Sequence, residues 1–155
     1  MFEFLQWQVQ DVMSKPVTIG PGASLAEVEA LLESEGFNAV PVVDAEDRLL
    51  GLVTSLDLLA AFTFGEDTIL PPFDQIMLRP VAEIMSRDVV TVCPRTPLTR
   101  VLEKIIDRGR KSLPVVEDDR VVGMVAREDV MNALRRAGGG EAPPQPSRGS
   151  QLGGP

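Results

Sequence analysis

One segment of this chain occurs twice, and the two copies lie 72 positions apart. Residues 51–57 read GLVTSLD and residues 123–129 read GMVARED, so each copy is typical of a buried strand that ends where a helix begins with a carboxylate. The pairs Met13-Ser14 and Met85-Ser86 keep the same spacing. Because two copies of one unit usually pack about a pseudo-two-fold axis, we expect the functional site to lie between the copies.

The residues around each copy predict a unit that runs strand, helix, strand, strand, helix. In the first unit Ser24 and Glu27 form a capping box that opens a helix, and Gly36 supplies its left-handed stop. Apolar runs bounded by turn residues mark the strands. The predicted strands are 17–19, 39–43, 49–53, 89–92, 113–116 and 121–125, and the other predicted helices are 55–62, 96–108 and 127–136. The predicted fold class is therefore mixed α/β (α+β), with two β-α-β-β-α repeats packed about a pseudo-two-fold axis.

The segments outside the two repeats have distinct compositions. Leu5, Val9 and Val12 lie at helical spacing and predict a docking helix, in which we expect Trp7 to have a packing role. The Gly, Pro and Ser content of the C-terminal residues predicts disorder. Apolar residues of the connector are expected to pack on the outside: Phe64, Ile69, Phe73 and Ile76. The predicted division is a docking helix (1–12), a first repeat (13–62), a connector (63–80), a second repeat (81–136) and a disordered tail (137–155).

Composition and charge limit the partners that such a chain can have. No apolar run is long enough to cross a bilayer, and the N-terminus lacks the basic and apolar stretches of a targeting segment. We therefore expect a cytoplasmic protein with no membrane partner. The net charge of −8 argues against a nucleic-acid partner, because phosphate backbones favour clustered Lys and Arg.

The charge is also distributed unevenly along the chain. Residues 1–80 carry 13 acidic and 3 basic side chains, whereas residues 81–155 carry 10 acidic and 12 basic ones. A group that binds an anion is therefore expected to come from the second repeat.

Residues suited to catalysis are scarce. The chain has no histidine and no tyrosine, so the side chain most often used to transfer protons is absent. The single cysteine, Cys93, has no candidate base, and no spacing resembles a metal site. The sequence therefore predicts a protein that is not an enzyme and that has no metal or prosthetic group.

The order of the two units, each opening with Met-Ser and closing with Gly-x-x-x-x-x-Asp before a helix, resembles a tandem pair of CBS domains, the Bateman module. The resemblance covers residues 10–136. It implies that the two sheets pack together and leave two related clefts. In many modules of this family the clefts bind adenosine-containing ligands such as AMP, ADP, ATP or S-adenosylmethionine, and the modules commonly form disc-like dimers. A homodimer that regulates an unknown partner protein is the implied assembly.

The resemblance also assigns residues to the two clefts. Each cleft combines the start of the last helix of one unit with strand residues of the other unit. Cleft A would contain Thr54, Asp57, Asp88, Val89, Val90, Arg110, Lys111, Ser112 and Leu113. Cleft B would contain Pro16, Val17, Thr18, Phe37, Asn38, Ala39, Ala126 and Asp129.

The side chains of the two clefts predict different ligands. A carboxylate can accept hydrogen bonds from both hydroxyls of a ribose, so Asp57 and Asp129 suit a nucleoside. Arg110 and Lys111, near a helix N-terminus, suit phosphates, whereas cleft B offers Asn38 in their place. We expect a nucleotide with phosphates in cleft A, and a cleft B that is empty or holds a neutral adenosyl group.

Purely structural interpretations stand beside these. Thr54 and Asp57 are also what a helix N-terminus needs, although Ala126 is a poor cap in the second copy. Arg108, Arg110 and Lys111 are also typical of a solvated helix end. At the level of function, the leading hypothesis is a regulatory module that senses an adenine nucleotide, and the alternative is a ligand-free scaffold or dimerisation module.

Overall fold

Two antiparallel hairpins, each followed by a helix, form the centre of the fold. The computed structural model describes residues 2–63 and 72–144. Strand β1 (Ala39–Val43) pairs with β2 (Leu49–Thr54), and β3 (Ser112–Glu117) pairs with β4 (Arg120–Ala126). The α-helices are α1 (Leu25–Glu35), α2 (Ser55–Ala60), α3 (Phe73–Met77), α4 (Leu98–Arg108) and α5 (Arg127–Gly138). Short 3-10 helices cover Phe2–Gln6, Val9–Asp11 and Val81–Glu83.

Local sequence signals fix the ends of the longer helices. Ser24 and Glu27 form the predicted capping box at the start of α1, with both hydrogen bonds at 3.2 Å. Gly36 and Gly109 follow α1 and α4 with φ angles of 65° and 61°, a left-handed conformation that glycine adopts without steric cost. The predicted capping box of Ser24 and Glu27 and the predicted stop at Gly36 are confirmed.

The first predicted strand of each repeat is reduced to one paired residue. Ile19 pairs in parallel with Val42, and Val92 with Val115. The next hydrogen bonds of the parallel ladder would need amide protons from Pro41 and Pro21 in the first repeat, and Pro114 and Pro94 occupy the same places in the second. Because proline has no N–H, the pairing cannot extend in either direction.

Each hydrophobic core takes in a segment that lies far away in sequence. The first core contains α1, β1 and β2, and it is completed by Ile76, Met77, Val81 and Met85. The second core contains α4, β3, β4 and α5, and it is completed by Phe4, Trp7 and Val9. The residues that precede one repeat therefore pack into the core of the other, so the two cores are not the two contiguous halves of the chain.

The N-terminal segment differs from the expected amphipathic α-helix. Its residues form 3-10 turns, which have three residues per turn, and they bury Phe4 and Trp7 rather than the predicted Leu5, which is 61% exposed. The packing role of Trp7 is confirmed, since the indole is fully buried and the Arg136 guanidinium lies 4.9 Å from the ring centre.

Two further expectations need correction. Ile76, which was expected on the outside, is buried in the first core, while Phe73 is 61% exposed and stacks on Phe62 with 5.6 Å between the ring centres. Residues 137 and 138, which were assigned to the tail, are the last residues of α5, and Ala137 is buried. The predicted contacts of Phe64 and Ile69 and the predicted disorder of residues 145–155 lie outside the described residues.

Reciprocal backbone contacts join the two units about the pseudo-two-fold axis. Leu52 and Ser86 exchange N–H···O bonds of 2.9 and 2.8 Å, and Met124 and Ser14 exchange bonds of 3.1 and 2.9 Å. At the other end of the hairpins, Arg48 pairs with its own repeat equivalent, Arg120. The repeated Met-Ser pairs of the sequence are therefore the contacts that each unit makes with the strand of the other.

Glycine is required where these contacts are closest. A Cβ atom at Gly51 would lie 2.7 Å from Met85 Sδ and 2.9 Å from the Ser86 carbonyl oxygen, and Gly123 has the same relation to Met13 and Ser14. We predict that Gly51→Ala lowers the free energy of unfolding by about 1–3 kcal/mol, because the Ser86 backbone must move. Urea denaturation measures this loss.

Gly20→Ala is the matched control for this prediction. A Cβ atom at Gly20 meets nothing within 4 Å, so the same substitution there is expected to change stability by less than about 1 kcal/mol. Equal losses in the two variants would contradict the assigned role of the close approach.

Candidate nucleoside-binding clefts

The start of α2 places a hydroxyl and a carboxylate at the mouth of cleft A. Strand β2 ends at Thr54, whose Oγ1 accepts the Asp57 amide N–H at 3.2 Å. Asp57 Oδ2 in turn accepts the Thr54 N–H at 2.8 Å and the Thr54 hydroxyl at 3.0 Å. This arrangement is a capping box, so the structural interpretation of both residues holds. It leaves Asp57 Oδ1 without a role in the cap.

Ser86 reaches that second oxygen from the other unit. Its hydroxyl donates to Asp57 Oδ1 at 3.2 Å, because the backbone exchange with Leu52 brings Ser86 to the end of β2. Sequence reasoning singled out the repeated Met-Ser pair without assigning it to the cleft. The carboxylate that would bind a ribose is thus held by hydrogen bonds from both units.

Cleft A brings most of its predicted residues together. It is a cavity of about 150 Å³, and every predicted residue except Lys111 lines it. Lys111 lies in the adjoining cavity described below. Leu52, Leu56 and Ser86 were not predicted. The lining consists of Leu52, Thr54, Leu56, Asp57, Ser86, Asp88, Val89, Val90, Arg110, Ser112 and Leu113.

Arg127 fixes the backbone that carries the cations. Its Nε donates to the Arg110 carbonyl oxygen at 2.9 Å, its Nη2 donates to the Gly109 carbonyl oxygen at 3.2 Å, and its own amide donates to the Lys111 carbonyl oxygen at 3.0 Å. Arg127 thereby holds the three residues that directly follow α4, which ends at Arg108. Sequence reasoning missed this residue, because the contact spans 17 positions.

Within the part of the chain that the structure describes, Arg110 has a donor that no protein group satisfies. Its Nε is buried and has no hydrogen-bond partner, and its guanidinium forms no ion pair within residues 2–63 and 72–144. A buried donor left without a partner costs roughly 1–3 kcal/mol. An anionic ligand in reach of Arg110 would supply the missing acceptor.

The residues that line cleft B differ in part from the predicted set. It is a cavity of about 170 Å³. Pro16 and Thr18 are not part of its lining, whereas Lys15 and Glu128 are. The expectation that cleft B lacks a cation is therefore wrong, and the missed signal was a lysine directly beside the Met-Ser pair. The lining consists of Ser14, Lys15, Val17, Gly36, Phe37, Asn38, Ala39, Ser112, Met124, Ala126, Glu128 and Asp129.

Asp129 has fewer hydrogen-bond partners than Asp57. Its Oδ2 accepts the Ala126 N–H at 2.7 Å, but Ala126 has no hydroxyl to donate. Burial raises the pKa of the Asp129 carboxyl above its ordinary value, and the negative charge of Glu128 acts in the same direction, while the Ala126 amide opposes both. The charged form of this half-buried group is therefore poorly stabilised.

A larger cavity lies between the two clefts. This central cavity measures about 400 Å³ and shares several residues with each cleft. It shares Asn38, Ala39 and Ser112 with cleft B, and it shares Leu52, Thr54, Leu56, Arg110 and Ser112 with cleft A. Its other lining residues are Ser55, Leu59, Gly109 and Lys111.

The residues that the structure describes contain neither a metal-binding cluster nor a membrane-spanning helix. No cluster of three or more Cys, Asp or Glu side chains in 2–63 and 72–144 is arranged to hold a metal ion. In the same ranges, no helix has the length and apolar character needed to cross a membrane.

Comparison with known proteins identifies the class of this fold. The CBS domain family matches residues 9–63 and 81–136, so the chain belongs to this family and contains a tandem CBS domain pair. The resemblance and the predicted fold class are confirmed. Among solved structures, the CBS domain pair of protein MJ0100, in complex with 5′-methylthioadenosine and S-adenosyl-L-methionine, is 31% identical. The TM-score is 0.69, over 87% of this chain and 98% of that one.

Two curated relatives are much longer proteins. The chain is 32% identical to homoserine O-acetyltransferase of Methanohalobium evestigatum over 128 residues, and 33% identical to L-aspartate semialdehyde sulfurtransferase of Methanocaldococcus jannaschii over 124 residues. These matches cover 81% and 79% of this chain but 24% and 22% of the relatives. The chain thus spans about a quarter of the length of these relatives.

The raised pKa of Asp129 predicts a pH-dependent stability difference. A carboxyl whose folded-state pKa is raised contributes stability below its ordinary value of 3.8, and this contribution is lost as the pH rises through the folded-state pKa. Asp129→Asn keeps an oxygen that accepts the Ala126 N–H and removes the charge. We predict that this variant melts at a higher temperature than the wild type at neutral pH, with no difference below pH 3.8.

Asp57→Asn is the control at the equivalent position. An amide cannot accept all the bonds that Asp57 receives from Thr54 and Ser86, so this variant should melt at a lower temperature than the wild type at neutral pH. Melting curves recorded across the pH range test both variants. An equal loss of stability in Asp129→Asn would overturn the assigned cost of its charge.

Proposed function

We propose that this CBS pair is a non-enzymatic regulatory module that binds an adenosine-containing nucleotide in cleft A and signals its presence to a partner protein. The observation that carries the proposal is that both repeats contribute residues to the lining of cleft A. Thr54 and Asp57 come from the first repeat, whereas Ser86, Asp88 and Arg110 come from the second. A ligand in this cleft bridges the two units, so its binding energy depends on how they are packed.

The chemistry of cleft A suits the parts of a nucleotide. Val89, Val90 and Leu113 offer an apolar wall for a base. Asp57 Oδ1 accepts only the Ser86 hydroxyl within the described residues, which leaves acceptor capacity for a ribose hydroxyl. Arg110 supplies the charge for a phosphate. The relative MJ0100, whose CBS pair was solved with two adenosyl ligands, supports this class of ligand.

The module would act through conformation rather than through chemistry. The sequence has no histidine or tyrosine, so the side chain most often used to transfer protons is absent. A ligand that favours one packing of the two units shifts the population toward it. AMP, ADP, ATP and S-adenosylmethionine are the candidate ligands.

Thermal unfolding with these four ligands tests the proposal. A ligand at about 100 times its dissociation constant stabilises by roughly 2.7 kcal/mol, which corresponds to a rise in Tm of about 5–10 °C for a domain of this size. We predict that Asp57→Asn loses the ligand-induced rise in Tm. The side-chain NH2 group that replaces one carboxylate oxygen cannot accept a hydrogen bond from a ribose hydroxyl. Asp129→Asn is the matched control and should keep the rise. No rise with any ligand in the wild type would contradict the proposal.

A second candidate function, dimerisation, is favoured by two exposed side chains. Leu59 on α2 and Met131 on α5 occupy equivalent positions of the two repeats, and they are 68% and 55% exposed. Both repeats therefore present an apolar side chain on the exposed surface of the helix that follows the second hairpin strand. Large apolar side chains that together form one exposed patch are typical of a surface that another chain covers. A homodimer would cover both at once.

We predict that the wild type is a dimer and that the double variant Leu59→Glu, Met131→Glu is a monomer, because four carboxylates would be buried at the interface. Analytical ultracentrifugation measures both masses. Leu78→Glu, at a residue that is 73% exposed outside these helices, is the control and should remain dimeric. A wild type that is monomeric at all concentrations would remove this candidate.

A further inference from the structure

The central cavity connects the two clefts. Ser112 lines all three spaces, while Thr54 and Arg110 belong to cleft A as well and Asn38 and Ala39 to cleft B as well. Cleft A and cleft B, at about 150 and 170 Å³, are each smaller than the roughly 300–1,000 Å³ of ordinary ligand pockets. Either cleft reaches that range only together with the central cavity. A nucleotide in either cleft would therefore extend into the same space.

The charges alternate along this continuous groove. Asp57 and Asp88 line cleft A, and Glu128 and Asp129 line cleft B together with one cation, Lys15. The charged side chains in the lining of the central cavity are Arg110 and Lys111, with no carboxylate among the described residues there. In a chain of net charge −8, the middle of the groove is thus locally positive between two acidic ends. Carboxylates suit ribose hydroxyls, and cations suit phosphates.

The second repeat supplies both cations of the central cavity, Arg110 and Lys111. Ala39 pairs with Thr54 and Ser112 pairs with Ala126, so Asn38 is the repeat equivalent of Lys111. The first repeat therefore contributes an amide where the second contributes an ammonium group. Arg127 holds the cationic segment through hydrogen bonds to the carbonyl oxygens of Gly109, Arg110 and Lys111. The positive charge in the lining of the central cavity therefore comes from the second repeat alone.

We propose that the central cavity is a single anion compartment that serves both clefts. It accommodates the phosphates of one nucleotide, so a nucleotide whose phosphates fill it weakens the binding of a second nucleotide in the other cleft by roughly tenfold or more, a common size for coupling between sites. An uncharged nucleoside in the second cleft is not affected, because it places no charge in the compartment. This inference rests on the proposed function and adds to it a coupling between the two clefts.

The test compares ADP and adenosine in calorimetric titrations of the full chain at low ionic strength. Val89→Trp places a bulky, uncharged side chain in cleft A without adding phosphates, and Val90→Trp is a second variant in case the first does not fold. ADP should bind cleft B of the variant about tenfold more tightly than the second ADP binds the wild type. Adenosine should bind cleft B equally well in both proteins. Added salt should narrow the ADP difference, because it screens the repulsion between phosphates.

The outcomes separate this inference from the function on which it rests. If ADP binds the variant no more tightly than the second ADP binds the wild type, or if adenosine shows the same difference as ADP, the shared compartment is wrong while nucleotide binding in cleft A stands. A difference that salt does not change also overturns the inference, since it would reflect steric contact. If the wild type binds neither ADP nor adenosine, the proposed function fails and the inference fails with it.

Discussion

The reciprocal contact between Gly51 and Ser86, and between Gly123 and Ser14, determines most of what this fold can do. Without a Cβ atom in the way, each Ser backbone exchanges two hydrogen bonds with the strand of the other unit. The contact brings the Ser86 hydroxyl to Asp57 and leads the preceding segment into the opposite core. A cleft whose walls come from both units follows from this exchange, and separation of the units would expose apolar surface of both cores.

The same backbone is repeated, but the side chains placed on it are not. Thr54, Ser55 and Asn38 in the first repeat correspond to Ala126, Arg127 and Lys111 in the second. The first repeat has a complete capping box at the start of α2. The second repeat leaves Asp129 with one amide partner among the described residues and adds one cation, Lys111, to the central cavity. Symmetry of the fold therefore supplies two clefts, and substitution at equivalent positions gives them different electrostatic environments.

What the sequence could predict was governed by local interactions. The capping box at Ser24, the stop at Gly36 and the hairpin strands depend on residues within a few positions, and they form as predicted. Pro21 and Pro41, which shorten the first strand, are visible in the sequence. Their effect could not be predicted, however, because it depends on knowing which strand pairs with the first one and therefore which N–H groups the pairing needs. Other features depend on packing between distant segments, which the spacing of apolar residues along the sequence does not indicate. They are the burial of Ile76, the hydrogen bonds from Arg127 to residues 109 and 110, and the position of Lys15 in cleft B.

Helix capping accounts for the two aspartates to different extents. Capping explains Asp57 in large part, since its Oδ2 accepts two bonds from Thr54. It explains Asp129 less well, because a single amide bond from Ala126 would be satisfied equally by an uncharged amide oxygen. A half-buried carboxylate beside Glu128 is instead a cost to the folded state. Helix capping therefore accounts for the carboxylate of Asp57 but not for the negative charge of Asp129.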